Sequence, residues 1–169
     1  GFGETVVDTY KMNDQLLYQR RYNRDPLGKI QGVVESGSAT KSTQYVYNVR
    51  GKLADVIENG QKVRSYNYDA NGNRLFLKNG HVTTNYKYDA QDRLIRAGSM
   101  SFEYTPSGEL LKSVMNKKVT SYKYDAFGNL KSVTLPDARR IEYLVDGLHR
   151  RVAKKINGQM VQGFLYQSQ

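Results

Sequence analysis

The chain contains no cysteine and only two histidines among its 169 residues. The absence of cysteine excludes disulfide bonds and thiolate metal sites. His81 directly follows an Asn-Gly turn signal, and His149 stands at a turn position that glycine holds in other copies of a repeat described below. Neither has a neighbouring group that would orient it, so we expect both to be turn-flanking surface residues and not bases or ligands.

Other hallmarks of membrane and enzyme sequences are also missing. No apolar run reaches the length of about 18 residues that a transmembrane helix needs, so we expect no membrane span. No signal peptide is visible at the start. The sequence has no Gly-X-Ser-X-Gly elbow, phosphate loop or His-Glu-X-X-His motif. Asp69–Asn73 superficially resembles a calcium loop, but its glycine comes too early and strand-like residues flank it. We therefore predict no enzyme activity, with no catalytic, cofactor-binding or metal-ligating residue and no cofactor.

Charge is abundant and mostly positive, with a formal net charge of +10. From Lys117 to Lys155 ten basic residues stand against four acidic ones, which leaves +6 in that stretch. A basic surface rich in tyrosine can attract single-stranded nucleic acid through phosphate contacts and stacking. However, lysines that alternate with tyrosines are typical of the solvent face of a sheet, and lysine also protects sheet edges. We therefore expect no specific nucleic-acid partner.

The chain contains a repeated sequence motif: an aromatic-X-aromatic pair, a turn rich in Asp, Asn or Gly, and then an apolar residue. Tyr122–Leu130 is the clearest copy. Internal repeats dictate the architecture of a chain, so the fold must follow from this repeated motif. Seven copies, two of them degenerate, are centred on Tyr22, Tyr47, Tyr68, Tyr88, Tyr104, Tyr124 and Val145.

A second turn signal lies between the copies. Asn-Gly between strand-like runs is a strong hairpin signal, because a type I′ turn needs positive φ at both central residues. The Asp-Ala-X-Gly turn instead suits a type I turn with a left-handed glycine. Each repeat thus holds two turns separated by strands of roughly six to eight residues. The second turns are predicted at Asn59-Gly60, Asn79-Gly80, Ala97-Gly98, Asn116-Lys117, Pro136-Asp137 and Asn157-Gly158.

The segments between turns have the alternation of β-strands. Tyr66 and Tyr68 fall on one face and Asn67 on the other. Leucines that follow the turns are expected to pair across each hairpin with the tyrosines. No segment is convincingly helical, and residues 8–21 favour strand. The leucines in question are Leu53, Leu75, Leu94, Leu110 and Leu130.

These motifs resemble YD repeats, which occur in bacterial Rhs and wall-associated proteins, the C component of toxin complexes, and teneurins. Tyr66–Asn73, Tyr86–Ala90 and Tyr122–Leu130 carry the resemblance. It implies an all-β fold of tandem antiparallel β-hairpins that form a curved, spiralling sheet, a segment of a hollow β-shell. Val145, Asp92 and Thr105 depart from the motif at a tyrosine, glycine and aspartate position, respectively, which puts single turns in doubt.

The resemblance also suggests a domain organisation. We expect a partial or degenerate repeat at 1–17, a YD-repeat array at 18–162, and a strand at 163–169 that leads toward an Rhs core domain absent from this chain. Both ends of the chain resemble cuts through a longer array. Because the family's self-cleavage residues belong to the core domain, none is carried over.

Function follows from the hairpin array and from the lack of convergent chemistry. The leading hypothesis is a non-catalytic structural segment of a bacterial Rhs-type protein, whose shell encloses or presents a C-terminal toxin domain. Its partners would be the remainder of its own shell and that enclosed domain, and its location secreted or on the bacterial cell surface. The alternative is an adhesion or carbohydrate/anionic-polymer binding module, with glycans or another cell surface as partners. An enzyme is the remaining alternative, for which the residues offer nothing.

Overall fold

Sixteen β-strands joined by short turns make up residues 6–167, the part of the chain that the computed structural model describes. Half-buried and exposed residues alternate along the strand that contains Tyr86 and Tyr88, as expected when one face of a sheet packs and the other is solvated. These residues include no helix, and so none that is long and apolar enough to cross a membrane.

The strands are four to ten residues long, which is ordinary for a sheet. They are β1 (Val7–Met12), β2 (Gln15–Arg24), β3 (Ile30–Ser36), β4 (Thr40–Tyr47), β5 (Leu53–Glu58), β6 (Gln61–Tyr68), β7 (Arg74–Asn79), β8 (Val82–Tyr88), β9 (Leu94–Ala97), β10 (Met100–Tyr104), β11 (Leu110–Met115), β12 (Lys118–Tyr124), β13 (Leu130–Thr134), β14 (Arg140–Val145), β15 (Arg151–Ile156) and β16 (Gln159–Gly163).

Each strand pairs antiparallel with the strands that precede and follow it in sequence, so the sheet order is β1 to β16 without a crossover. This confirms the predicted all-β fold of tandem hairpins. The strand assignment for residues 8–21 is also confirmed, since they lie in β1, β2 and the turn between them. The chain divides into two compact units, Gly1–Asn85 and Tyr86–Gln169, with the boundary inside β8.

In the first unit the register collects tyrosines on one face of the sheet. Tyr45 lies opposite Val56, and Val56 lies opposite Arg64 on the next strand. Tyr22 is likewise opposite Val33. We call this side the tyrosine face of the first unit. Its buried residues are Val33, Thr43 and Val56, which are 8%, 7% and 2% exposed.

The second unit buries residues on both faces. Val133 lies opposite Tyr122, on the side of the tyrosines, whereas Ser132 lies opposite Lys123 on the other side. Ser132 pairs with Glu142 on β14. Leu144, two residues further along β14 and on the same face, pairs with Ala153, so Ala153 lies on the same side as Ser132. Among the described residues only four apolar side chains are buried, so packing depends on half-buried tyrosines and leucines and not on a thick core.

A four-residue turn follows each even-numbered strand from β2 to β14. One more turn of this length connects β13 to β14. In the turn Asp69–Gly72, the Gly72 N–H donates to the Asp69 carbonyl, and the Asp69 N–H donates to the carbonyl of Asn73. The fourth residue has positive φ, and the pairing shifts by one residue next to the turn. This is a type I turn closed by a left-handed residue that forms a bulge. We call these the repeat turns; they begin at Asp25, Asn48, Asp69, Asp89, Thr105, Asp125, Leu135 and Asp146. Among the described repeat turns, only the one between β13 and β14 lacks this shift in pairing.

The predicted centre of the first copy, Tyr22, was two residues too early. Its turn is Asp25–Gly28, and Arg24 is the residue that precedes it and pairs with Ile30. Tyr22 is therefore the leading aromatic of the copy, and Arg24 takes the place of the second one. The turn has the same four-residue length as the others.

The two-residue turns at Asn59-Gly60, Asn116-Lys117 and Asn157-Gly158 are confirmed, with positive φ at both residues. The predicted turns at residues 79–80 and 97–98 were placed one residue early, because the central residues are Gly80-His81 and Gly98-Ser99. There only the glycine has positive φ, as in a type II′ turn. Pro136-Asp137 forms the middle of a repeat turn, and a further tight turn is formed by Asn13-Asp14.

The predicted tyrosine–leucine pairs hold in four hairpins. Tyr47 pairs with Leu53, and the corresponding partners of Tyr88, Tyr104 and Tyr124 are Leu94, Leu110 and Leu130. The prediction was wrong for Leu75. Arg74 occupies that place opposite Tyr68, and Leu75 falls at the bulge, where it is skipped by the pairing.

Candidate functional site

The two histidines lie in turns, as predicted. His81 is the second central residue of the β7–β8 turn, and His149 ends a repeat turn with a φ of 60°. His149 Nδ1 lies 2.9 Å from Asn129 Nδ2, and its ring meets the ring of Phe127 edge-on at 5.2 Å. These contacts join two neighbouring repeat turns. The absence of a catalytic role for either histidine stays a prediction, as does the absence of cofactor and metal residues.

The acidic residues of the repeat turns accept hydrogen bonds from their own turns. Asp125 Oδ1 accepts the N–H groups of Phe127 and Asn129, each at 2.9 Å, and its Oδ2 accepts the Asn129 side-chain amide. The Asn129 amide lowers the pKa of Asp125, partial desolvation opposes this, and the two backbone N–H groups lower it further. Within residues 6–167 no three His, Cys, Asp or Glu side chains converge to hold a metal ion. The recurrent carboxylates thus bind the backbone N–H groups of their own turns.

Other residues can replace the aspartate. Asn48 Oδ1 accepts the N–H groups of Arg50 and Lys52, each at 3.0 Å. Thr105 Oγ1 accepts the Glu109 N–H at 3.1 Å and donates to the Glu109 carboxylate. The doubt about the turn at Thr105 is resolved, because this turn keeps both backbone hydrogen bonds of the others.

In four of the copies the second tyrosine donates its hydroxyl to the preceding repeat. Tyr68 Oη lies 2.9 Å from the carbonyl oxygen of Leu53, and Tyr124 Oη lies 3.0 Å from that of Leu110. The acceptor is in each case the first residue of the strand that follows the previous repeat turn. Tyr47 and Tyr104 make the same bond to Ile30 and Leu94, at 2.6 and 2.9 Å.

In several copies the residue just after the repeat turn forms a second link, this time to the following repeat. Lys52 Nζ donates to the Gly72 carbonyl at 3.1 Å and lies 5.4 Å from the ring centre of Tyr68. Lys29 makes the same two contacts with Gly51 and Tyr47, at 3.2 and 4.8 Å. A cation at such a distance from a ring centre is attracted by the face of the ring. Consecutive repeats are therefore joined by a hydroxyl in one direction and by a cation in the other.

These links could not be assigned from the sequence, although a signal was present. The position four residues after the start of a repeat turn is polar or charged in every copy, where a β-strand pattern alone requires nothing of the kind. Tyr166 was also missed as a repeat tyrosine. It donates to the Arg151 carbonyl at 2.8 Å, and the Arg150 guanidinium lies 4.7 Å from its ring centre. Phe164-Leu165-Tyr166 thus has the contacts of another aromatic-X-aromatic copy.

The geometry indicates what the arrangement can do. The recurrent polar groups bind their own backbone or the neighbouring repeat, and among the described residues they do not converge on a common point in space. A family model described as the teneurin YD-shell matches residues 1–169. The chain belongs to the teneurin YD-shell family. This YD-shell chain is thus a segment of a structural shell domain.

Individual relatives come from animals and bacteria. The YD-shell chain is 30% identical over 162 residues to Teneurin-3 of Danio rerio, covering 92% of this chain and 6% of the relative. It is 28% identical over 146 residues to toxin protein Tse5 of Pseudomonas aeruginosa, covering 80% of this chain and 11% of the toxin. The chain therefore spans only about a tenth or less of the length of these relatives.

Solved structures show the same fold. The crystal structure of TcdB2-TccC3 without its hypervariable C-terminal region matches with a TM-score of 0.69 and 18% sequence identity. The match covers 85% of this chain and 9% of that one. At this identity the similarity concerns the fold alone.

Proposed function

We propose that this chain is a non-catalytic structural segment of a bacterial Rhs-type protein, and that its hairpins build part of a shell that encloses or presents a C-terminal toxin domain. The observation that carries the proposal is the pair of links between repeats. Tyrosine hydroxyls bind the carbonyl groups of the previous repeat, while lysine and arginine side chains reach the next turn. Signature residues are thus used to hold the array together.

The relatives support the finer parts of the proposal. The match to a Pseudomonas aeruginosa toxin favours a bacterial, secreted parent, with the remainder of the shell and the enclosed domain as its partners. The division into a partial repeat at 1–17, an array at 18–162 and a lead toward a core domain at 163–169 belongs to the same proposal.

Protease protection in the parent protein tests the enclosure. We expect the segment downstream of the shell to resist a broad-specificity protease as long as the shell is folded. The same segment should become sensitive at the denaturant concentration at which the β-sheet signal is lost. Digestion of that segment at equal rates with folded and unfolded shell would reject enclosure, and a parent without any toxic domain would reject the toxin assignment.

A second candidate function, binding of an anionic polymer, is favoured by one group of side chains in the second unit. Lys123, Lys131 and Lys155 line a hollow of about 380 Å³ around the buried Ser132. Within residues 6–167 none of these lysines forms an ion pair or a side-chain hydrogen bond, so their charges are available. Positive charges grouped in this way raise the local concentration of a polyanion.

Retention on a heparin column distinguishes charge in general from this group. Lys155→Gln should reduce retention more than Lys154→Gln, because the two neighbours point to opposite faces and only Lys155 lines the hollow. Equal reductions would show that net charge alone causes the retention.

A further inference from the structure

The tyrosine face of the first unit contains a hollow of about 530 Å³. Its floor is formed by Val33, Thr43 and Val56, and Tyr22, Tyr45 and Arg64 stand around it. The floor is buried because small side chains on the central strands are flanked by larger ones on the neighbouring strands. A volume in this range, with an apolar floor and few polar groups, is typical of sites for small molecules.

One row of the sheet contains the features that a ligand would need. Tyr45, Val56 and Arg64 lie opposite one another on β4, β5 and β6, and all three line the hollow. Val56 is 2% exposed, so it forms the bottom between a phenol on one side and a guanidinium on the other. Directly opposed residues in a sheet are about 5 Å apart, so the row spans roughly 10 Å between Tyr45 and Arg64.

The other charges around the hollow neutralise each other. Arg20 Nη2 lies 2.7 Å from Glu35 Oε1, and Lys41 Nζ lies 2.9 Å from Glu58 Oε2. Arg64, in contrast, has no ion pair or side-chain hydrogen bond with any residue from 6 to 167. In the same range of residues the Tyr45 hydroxyl makes no hydrogen bond, although the hydroxyls of Tyr22 and Tyr47 do. The hollow thus holds an unused positive charge and an unused hydroxyl above an apolar floor.

We propose that this hollow is a binding site for a small organic carboxylate with an aromatic or aliphatic body. The body lies on Val33 and Val56 beside the Tyr45 ring, and the carboxylate binds the Arg64 guanidinium. A guanidinium matches a carboxylate in shape and charge and can donate two parallel hydrogen bonds to it. A ligand of this kind neutralises Arg64 and covers apolar surface at the same time. Such a site goes beyond a structural role and does not depend on whether the shell encloses a toxin.

The class of ligand follows from what the hollow lacks. Glu35 and Glu58 are paired with cations, so no acidic group remains for a cationic ligand. A neutral apolar molecule would gain nothing from the exposed Arg64 charge, and a strongly hydrated inorganic anion would leave the valine floor uncovered.

Titration with 4-phenylbutyrate, followed by ¹H–¹⁵N NMR, tests the proposal on the chain itself. We expect saturable shifts at the amides of Val33, Val56 and Arg64, and weaker binding of the neutral analogue 4-phenylbutanol. Arg64→Gln should weaken binding of the carboxylate by about tenfold, which corresponds to the loss of a charge-assisted hydrogen bond. Tyr45→Phe, which keeps the ring, should weaken it by a smaller factor.

Arg21→Gln is the matched control, because it removes the same positive charge as Arg64→Gln. Arg21 lies on the same strand as Tyr22, but its side chain points to the opposite face of the sheet. Its affinity should equal that of the unmodified chain, and an unchanged far-UV spectrum establishes that each variant is folded. Equal weakening by Arg21→Gln and Arg64→Gln would overturn the proposal, because it would show attraction by net charge. Equal affinities for 4-phenylbutyrate and 4-phenylbutanol, or shifts that do not saturate, would overturn it as well.

Discussion

Replacement of Tyr124 by phenylalanine isolates one link between two repeats. The Tyr124 hydroxyl donates to the carbonyl of Leu110, which lies beside the bulge that follows the preceding repeat turn. Phenylalanine keeps the ring and its packing and removes only this donor. The carbonyl of Leu110 then has to find water or remain without its side-chain partner.

The expected cost is about 1 kcal/mol in the free energy of unfolding. A neutral hydrogen bond contributes roughly 0.5–1.5 kcal/mol net, and an acceptor left without a partner costs more only if water cannot reach it. Leu110 is half-buried, so water can replace the hydroxyl as the partner of its carbonyl. The cost of an acceptor without a partner is about 1–3 kcal/mol, and we therefore expect a value near the lower end. For a chain of this size, about 1 kcal/mol lowers Tm by roughly 2–4 °C.

Urea denaturation followed by circular dichroism measures this cost, and Tyr122→Phe is the control. Tyr122 lies on the same strand and face, but within residues 6–167 its hydroxyl makes no hydrogen bond. We expect Tyr122→Phe to stay within about 0.5 kcal/mol of the unmodified chain, as changes without a partner usually do. If the two variants lose equal stability, the hydroxyl link contributes nothing and the reasoning about joined repeats fails.

Three further predictions concern the turns and the buried face. Ala138→Gly should stabilise the chain by about 1 kcal/mol in thermal denaturation, because Ala138 has a φ of 66° that glycine adopts without strain, and Gly128→Ala should have the opposite effect. The lowered pKa of Asp146, caused by the Arg150 backbone N–H against some desolvation, contributes stability that is present above the ordinary carboxyl range and lost as the pH falls through the lowered value. Asp146→Asn, which keeps a side-chain acceptor, should flatten that loss in denaturation curves measured across acidic pH, and an unchanged pH dependence would refute the assignment. Val56→Ala should cost about 2 kcal/mol in urea denaturation, since two methyl groups leave a buried site, and a cost near zero would show that the hollow relaxes freely.

The hairpins were predictable because two signals in the sequence agree. Aromatic alternation identifies strands, and turn residues with special backbone needs separate them, so Tyr66–Tyr68 and Asn59-Gly60 could be assigned with little tertiary information. The family resemblance then supplied the name of the repeat. Antiparallel order β1 to β16 follows from hairpins joined one after another.

Register was harder to predict, because a shift by one or two residues preserves much of the sequence pattern. Tyr22 resembled the second aromatic of a copy, yet Asp25 and its bonds to Leu27 and Lys29 place Arg24 before the turn. Asn79-Gly80 has the composition of a type I′ turn, but Asn79 remains in the strand and pairs with Val82. In both cases the cross-strand hydrogen bonds decided between alternatives that composition left equal.

The links between repeats depend on distances that no spacing rule contains. The hydroxyl of Tyr68 reaches the carbonyl of Leu53, which lies beside the bulge that follows the turn Asn48–Gly51. The same is true of the hollow, which exists because Val56 falls between two large residues after the register shift in β6. Side-chain contacts across strands therefore require the register first, and the register requires the structure.

The β13–β14 turn shows which feature of the repeat is essential. Leu135 has no side-chain oxygen, yet its N–H donates to the Arg139 carbonyl at 2.9 Å and its carbonyl accepts the Ala138 N–H at 3.0 Å, as in every other repeat turn. The backbone pattern thus forms without the signature aspartate, even when alanine must adopt a positive φ. It follows that the pairing of the flanking strands imposes the turn, and that aspartate and glycine only reduce its cost. A search for the signature alone therefore counts fewer hairpins than the sheet contains, and in this chain the hairpin that it misses is as regular as those that it finds.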